Sequence, residues 1–111
     1  MKKFIALYLA PISAIEQMKK ATPEQMKAGM DAWMAWFTKH EKSITDLGAP
    51  LGRTKRITAA GASDTKNGIT GYSLVQGDSL ESVSKLFEGH PHFQMPGALI
   101  EVLECMPVPG A

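Results

Sequence analysis

The chain has 111 residues and a formal net charge of +1, with 44% hydrophobic and 21% charged residues. This length supports one domain with one hydrophobic core, and this composition is that of a globular protein rather than a disordered one. Because lysines and acidic residues are interspersed, no basic surface predicts binding to nucleic acid or to an anionic membrane.

The one cysteine and the N-terminus bear on where the protein resides. Cys105 has no partner for an intramolecular disulfide, and we expect it to be a small core residue of a cytoplasmic protein. Residues 1–10 resemble the start of a secretory signal, but Pro11 ends the apolar run at the minimum length, so we interpret them as a first strand. No apolar segment is long enough to cross a bilayer.

The first strand is predicted over Lys3–Leu9, where apolar residues occupy both sides of the pleat. Residues 11–21 lack a strong periodicity and are predicted to form a connection. A long amphipathic helix is predicted next, beginning at Thr22 and ending at Asp46 or Leu47.

The ends of this helix carry recognisable signals. Thr22 and Gln25 can form a capping box around Pro23, which suits the first helical position. Gly48, followed by Pro50, offers a left-handed C-terminal cap. Apolar residues recur along this helix at helical spacing and form the largest apolar face that the sequence predicts. They are Met26, Met30, Trp33, Met34 and Phe37.

The middle of the chain predicts a β-hairpin. Arg53–Ala59 alternates enough to be a second strand, and its polar residues favour the edge of the sheet. Gly61–Gly68 is predicted to be a loop that ends in a tight Asn-Gly turn, and Ile69–Gln76 to be the third strand.

A second helix and a last strand complete the predicted elements. Asp78 or Ser79 caps the helix, with Glu81 as the capping-box partner of Asp78, and Gly89 ends it. Leu99–Met106 is predicted to be the last strand.

The resulting order is β-α-β-β-α-β, the ferredoxin-like or split βαβ arrangement of an α+β protein, with two helices on one face of an antiparallel sheet. The other sheet face would contact water in a monomer, yet strands one, three and four are apolar on both sides. We therefore predict a homodimer in which a second copy covers that face across a two-fold axis.

Several segments share their order and spacing with a known family. These segments are Lys3–Tyr8, Thr22–Met26, Leu47–Gly52, Gly71–Val75 with Asp78–Glu81, Gly89–Pro91 and Glu101–Val102. Together they resemble the YCII-related proteins and their DGPF-type relatives over nearly the full length of the chain.

This resemblance implies a dimeric α+β barrel, in which two ferredoxin-like sheets face each other and enclose a cleft. Most members of the family have no assigned activity, but some resemble dehydrochlorinases and lactone isomerases that act on small ring compounds without a cofactor. A histidine–aspartate pair is proposed as the family's active site. The family's histidine lies early in the first helix, where this chain has Gln25, Met26 and Lys27, so the pair is not carried over.

His90 and His92 are the first candidates for proton transfer, because imidazole titrates nearest neutral pH. They flank Pro91, and an extended segment would project both rings to one side. They could act as acid and base, line a loop or a dimer interface, or bind a metal together with His40 or a carboxylate. We assign the first role to His90 and His92, and we expect no metal and no cofactor.

The remaining candidates are polar or aromatic residues that could face the cleft. Asp46 lies at the negative end of the predicted helix dipole, an unfavourable place for a structural carboxylate, so it joins the catalytic candidates. Trp33 and Trp36 are separated by roughly 60° of helix rotation, so we expect one of them to face the cleft or the partner. The candidate ligand-binding residues are Tyr8, Trp36, His40, Arg53 and Tyr72, of which Arg53 could clamp an anion and the tyrosines could present hydroxyls.

Two functions follow from these candidates. The first is a cofactor-independent isomerase, lyase or dehydrohalogenase that moves protons on a small ring compound in the dimer cleft, with His90 or His92 as the base. Asp46, Tyr8 or Tyr72 would orient that substrate. The alternative is a non-catalytic dimeric module that binds a small molecule or a protein. A third and weaker hypothesis is a haem- or metal-dependent monooxygenase, which would require a ligating histidine that faces the cavity.

Overall fold

A four-stranded antiparallel sheet organises the chain, and a computed structural model describes it for residues 1–110. The strands are β1 (Lys2–Leu9), β2 (Ile44–Pro50), β3 (Thr54–Thr58), β4 (Gly61–Thr65), β5 (Ile69–Gly77) and β6 (Leu99–Glu104). The helices are α1 (Ile12–Met18), α2 (Pro23–His40) and α3 (Leu80–Lys85), with short 3-10 turns at Glu41–Ser43 and Pro91–Gln94. None of the helices in residues 1–110 is both long and apolar enough to span a membrane.

The order of strands in the sheet is β2–β5–β1–β6, and every neighbouring pair is antiparallel. This is the strand order of the split βαβ arrangement, and the predicted α+β class with an antiparallel sheet is confirmed. The edge strand beside β5 is nevertheless Ile44–Pro50 and not the predicted Arg53–Ala59.

Helix α2 begins as predicted but ends earlier. The backbone N–H of Gln25 donates to Thr22 Oγ1 at 3.1 Å, and the Thr22 N–H donates to Gln25 Oε1 at 2.9 Å. The helix ends at His40 rather than near Leu47, and the chain re-enters the sheet at the buried Ile44, which pairs with Val75.

Residues 54–65 form a hairpin of their own. Strand β3 pairs with β4 in a separate two-stranded sheet, so the predicted pairing of the second and third strands and the predicted loop over Gly61–Gly68 were wrong. The sequence of β4 is Gly-Ala-Ser-Asp-Thr, which has little intrinsic preference for a strand, so the strand could not be predicted from these residues. Helix α1 was also missed, because seven residues after Pro11 are too few to establish a helical period.

Three smaller predictions are corrected by the contacts. Of the two predicted caps, Ser79 and not Asp78 caps α3, so the capping-box partner is Ser82 rather than Glu81. Cys105 is exposed just beyond β6 rather than buried in the core. The methionine face of α2 is not core either, since Met26, Met30 and Met34 are 57%, 60% and 42% exposed.

One face of the sheet packs against α2 and α3. Alternate residues of β1 and β5 point to this side and are fully buried, while the residues between them are half-buried. Trp33 and Phe37, from the C-terminal half of α2, pack against the resulting cluster. Its buried members are Phe4, Ala6, Tyr8, Trp36, Ile44, Val75, Val83 and Phe87.

The opposite side of the sheet, called here the open face, carries apolar side chains that no helix covers. Ile5 pairs with Leu74, and Leu7 pairs with Tyr72, and all four side chains are only half-buried. Leu99 and Leu103 extend this surface onto β6, where both are exposed. The open face is the surface that the sequence predicts a second copy to cover.

Gly48 provides a test of the position of β2. Its φ is +83°, and a Cβ there would collide with the backbone carbonyl oxygen of Tyr72 on the neighbouring strand. We expect Gly48→Ala to lower the free energy of unfolding by roughly 2–5 kcal/mol in urea denaturation. The control is Gly29→Ala in α2, where a Cβ meets nothing within 4 Å and should raise stability by about 0.5–1 kcal/mol. Unchanged stability of the Gly48 variant would contradict the placement of this strand.

Candidate functional site

His90 and His92 lie among aromatic rings between the sheet and the helices. They are 1% and 5% exposed. The centroid of the His90 ring lies 4.4 Å from that of Trp33, 4.5 Å from Trp36 and 5.2 Å from Tyr8. We call the whole set the aromatic cluster, and it consists of Tyr8, Trp33, Trp36, Phe87, His90 and His92.

The backbone around His90 fixes the orientation of its ring. Gly89 has a φ of +71°, and His90 then caps the 3-10 turn that begins at Pro91. Nδ1 of His90 accepts a hydrogen bond from the backbone N–H of His92 at 2.9 Å. Because Nδ1 is an acceptor, the neutral ring carries its proton on Nε2, and this buried nitrogen has no hydrogen-bond partner within residues 1–110.

The surroundings keep His90 uncharged. Burial, followed by the charges of His92 and His40, lowers the pKa of His90 to about 4. At neutral pH the ring is therefore a neutral imidazole with a free Nε2–H donor.

His92 is tied to the sheet instead. Its Nε2 lies 2.9 Å from the carbonyl oxygen of Leu9, which accepts the hydrogen bond at the end of β1. In the neutral form of the ring, this bond leaves Nδ1 as the nitrogen with a lone pair. Between them, the two histidines hold one free donor and one free acceptor.

Tyr8 is buried on the same side of the sheet and does not present a free hydroxyl. Its Oη lies 2.8 Å from Ser73 Oγ, and Ser73 donates in turn to the carbonyl oxygen of Leu47 at 2.7 Å. Burial raises the pKa of Tyr8 to about 12, although the Ser73 hydrogen bond lowers it in part. The phenol is therefore protonated, and it donates into this relay.

Both tryptophans of α2 contact the same imidazole, so the expectation that only one of them turns toward the core was wrong. Trp36 also donates from Nε1 to the carbonyl oxygen of Leu86 at 2.9 Å. The His40 ring lies 5.5 Å from the Trp36 ring at the end of the helix, where burial, followed by the charge of Lys39, lowers the pKa of His40.

Three predicted site residues lie away from the aromatic cluster. Asp46 is exposed on β2, and its Oδ1 accepts the backbone N–H of Gly48 at 2.8 Å. Tyr72 pairs with Leu7 on the open face, so Tyr8 and Tyr72 point to opposite sides of the sheet and share no cavity. Arg53 is exposed in the turn after β2 and lines a separate cleft.

Ser73 and Trp33 contact the histidines or Tyr8 but were not among the predicted site residues. A serine at a buried position of an otherwise apolar strand was the available signal, since a buried hydroxyl requires a partner. Among residues 1–110, no group of three or more His, Cys, Asp or Glu side chains is arranged to hold a metal ion.

Comparison with known proteins adds little to this description. No family model matches the sequence, and no curated protein matches it. Among solved structures, the chain is similar to 5-chloro-2-hydroxyhydroquinone dehydrochlorinase from Burkholderia phenoliruptrix AC1100 in complex with 2,5-dihydroxybenzoquinone. The identity is 16%, 91% of each chain is covered, and the TM-score is 0.47. A likeness this distant assigns no activity to the chain.

The depressed pKa of His90 makes stability depend on pH. Since the unfolded histidine titrates near 6.5 and the folded one near 4, the unfolded state binds the extra proton between these values. His90 therefore lowers the free energy of unfolding as the pH falls from 6.5 to 4, by up to about 3 kcal/mol.

The measurement is urea unfolding at pH 7, 6, 5 and 4. His90→Asn keeps a side-chain acceptor for the His92 N–H and should lose most of this pH dependence. His40→Asn, at a half-buried position, is the matched control and should retain it. Parallel pH profiles for wild type and His90→Asn would show that folding does not lower the pKa of His90.

Proposed function

We propose that this protein is a homodimer that binds a small ring compound in the hollow between two facing sheets. The open face is the observation that supports this proposal. An antiparallel sheet with one wet face normally places polar residues on that side, whereas here leucine, isoleucine and tyrosine side chains occupy it. A second copy related by a two-fold axis presents the same residues in return.

The chemistry of the open face suits an apolar ligand with few polar groups. Tyr72 offers a hydroxyl next to the aliphatic Leu7 and Leu74, and Glu101, opposite Leu7, is exposed. Small-molecule sites commonly combine an apolar lining with a few polar groups that fix orientation. An aromatic or lactone-like ring that stacks on Tyr72 fits this lining.

The dimer is tested by replacing an apolar residue at the centre of the open face. Leu74→Ser removes about 2 kcal/mol of burial from each copy, so the symmetric interface should lose about 4 kcal/mol. This corresponds to roughly a thousandfold weaker dimerisation. Sedimentation equilibrium and native mass spectrometry measure the change, and the latter also detects a retained small molecule.

Ile57→Ser is the matched control, because Ile57 is exposed on the separate hairpin. It should leave the dimer intact. A wild-type chain that sediments as a monomer at micromolar concentration would overturn the proposal.

A second candidate is the cofactor-independent isomerase, lyase or dehydrohalogenase. The free Nε2–H of His90 and the lone pair on His92 Nδ1 favour it, because an isomerase needs one group that takes a proton from one carbon and returns it to another, and a second group that donates a hydrogen bond to the oxyanion formed in between. His92 would take a proton from a ring carbon, and His90 would polarise a neighbouring oxygen. Both rings are buried, so substrate would reach them only through local opening of the segment that carries them.

This activity is tested by proton NMR in deuterated water with hydroxylated quinones and small lactones. His90→Asn and His92→Gln each keep one of the hydrogen bonds described above and should slow turnover or deuterium exchange by about 10²–10⁴-fold. His40→Asn should retain the wild-type rate. Unchanged rates in the first two variants would exclude the histidines as acid and base, and no exchange by wild type would leave the protein a binding module.

A further inference from the structure

A cleft of about 630 Å³ lies at the end of the sheet where β1 stops and β5 starts. Its walls are α1, the base of the β3–β4 hairpin and the segment around Met95, and we call it the hairpin cleft. The volume lies within the range of small-molecule sites, about 300–1,000 Å³. Every wall comes from one chain, so the hairpin cleft does not require the proposed dimer.

The lining of the hairpin cleft is apolar on the side of α1. Ile12, Met18 and Leu51 are 41%, 49% and 45% exposed, although they are large hydrophobic residues. Ile15 and Ile69 continue the same surface. Clustered exposure of this kind marks a ligand or partner surface more often than isolated apolar residues do.

The rim of the hairpin cleft carries an excess of positive charge. Its two acids are neutralised, since Glu16 lies 3.5 Å from Lys66, and Asp64 lies 2.7 Å from Lys55 on the paired strand. Lys19 and Arg53 also line the cleft, and neither forms an ion pair within the described part of the chain. The local field therefore attracts an anion.

We infer that the hairpin cleft binds a small carboxylate with an apolar body, whose charged end meets Arg53. A guanidinium presents two parallel N–H donors that match the two oxygens of a carboxylate. Lys19 adds a second positive charge, and the exposed face of α1 covers the apolar body. A free inorganic anion would satisfy the positive charge but would leave the apolar surface of α1 exposed to water.

Octanoate and octanamide are suitable probes, because they have nearly the same shape and differ in charge. We expect wild type to bind octanoate with a Kd of about 1 mM or tighter and octanamide at least tenfold more weakly, measured by titration of amide resonances in a two-dimensional nitrogen–proton NMR spectrum. The shifted resonances should include those of Ile15, Leu51 and Thr70.

Arg53→Gln should weaken octanoate binding at least tenfold and change octanamide binding less than twofold. Arg56→Gln is the matched control, because Arg56 lies on β3 outside the lining of the hairpin cleft. Leu51→Ser should weaken both probes. The dimer variant Leu74→Ser should bind octanoate like wild type, which separates this inference from the proposed function.

Three results would overturn the inference. They are no saturable octanoate binding by wild type, equal loss in the Arg53 and Arg56 variants, and shifts confined to open-face residues such as Leu7 and Tyr72.

Discussion

The side chain of Tyr8 connects the sheet with everything that packs on it. From a central strand, its ring meets Trp33 of α2 at 4.6 Å, Phe87 beyond α3 at 6.3 Å, and His90 at 5.2 Å. A buried phenol without a partner would cost about 1–3 kcal/mol. The Ser73 relay to Leu47 removes that cost, so three adjacent strands, helix α2 and the segment after α3 meet at one satisfied side chain.

The features that could be predicted from the sequence are those that local chemistry determines. The short apolar runs within Lys2–Leu9 and Ile69–Gly77 predict strands without tertiary information, and the capping box at Thr22 likewise predicts the start of a helix. From these elements and the second helix, the α+β class and the antiparallel sheet followed. The double-sided apolar character of β1 and β5 also identified the open face before any contact was known.

The features that could not be predicted depend on distant neighbours. Gly48 resembles a helix C-cap because both roles need a positive φ, but here the lack of a side chain lets β2 pass close to Tyr72. Strand β4 is defined only by pairing with β3. Sequence spacing placed Trp33 and Trp36 on different helix faces, yet both rings contact the imidazole of His90, which is distant in the sequence.

The candidate site shows the same division. The His-Pro-His segment was singled out from the sequence as one unit, but its two rings have different partners, one a backbone N–H and the other the end of a strand. Asp46 was selected for a helix end that does not exist there, and it lies in an exposed strand. Arg53 was identified by its charge alone, and only the folded chain reveals the cleft beside it.

The β3–β4 hairpin lies in the connection between β2 and β5, which are neighbours in the main sheet. The Leu51 N–H donates to the Thr70 carbonyl oxygen at 2.8 Å, which closes the base of this connection against the sheet. Strands β3 and β4 pair only with each other, so this hairpin can lengthen, shorten or change composition during evolution without altering the register of the four main strands. Descendants of one ancestral gene can diversify this wall while inheriting an unchanged scaffold.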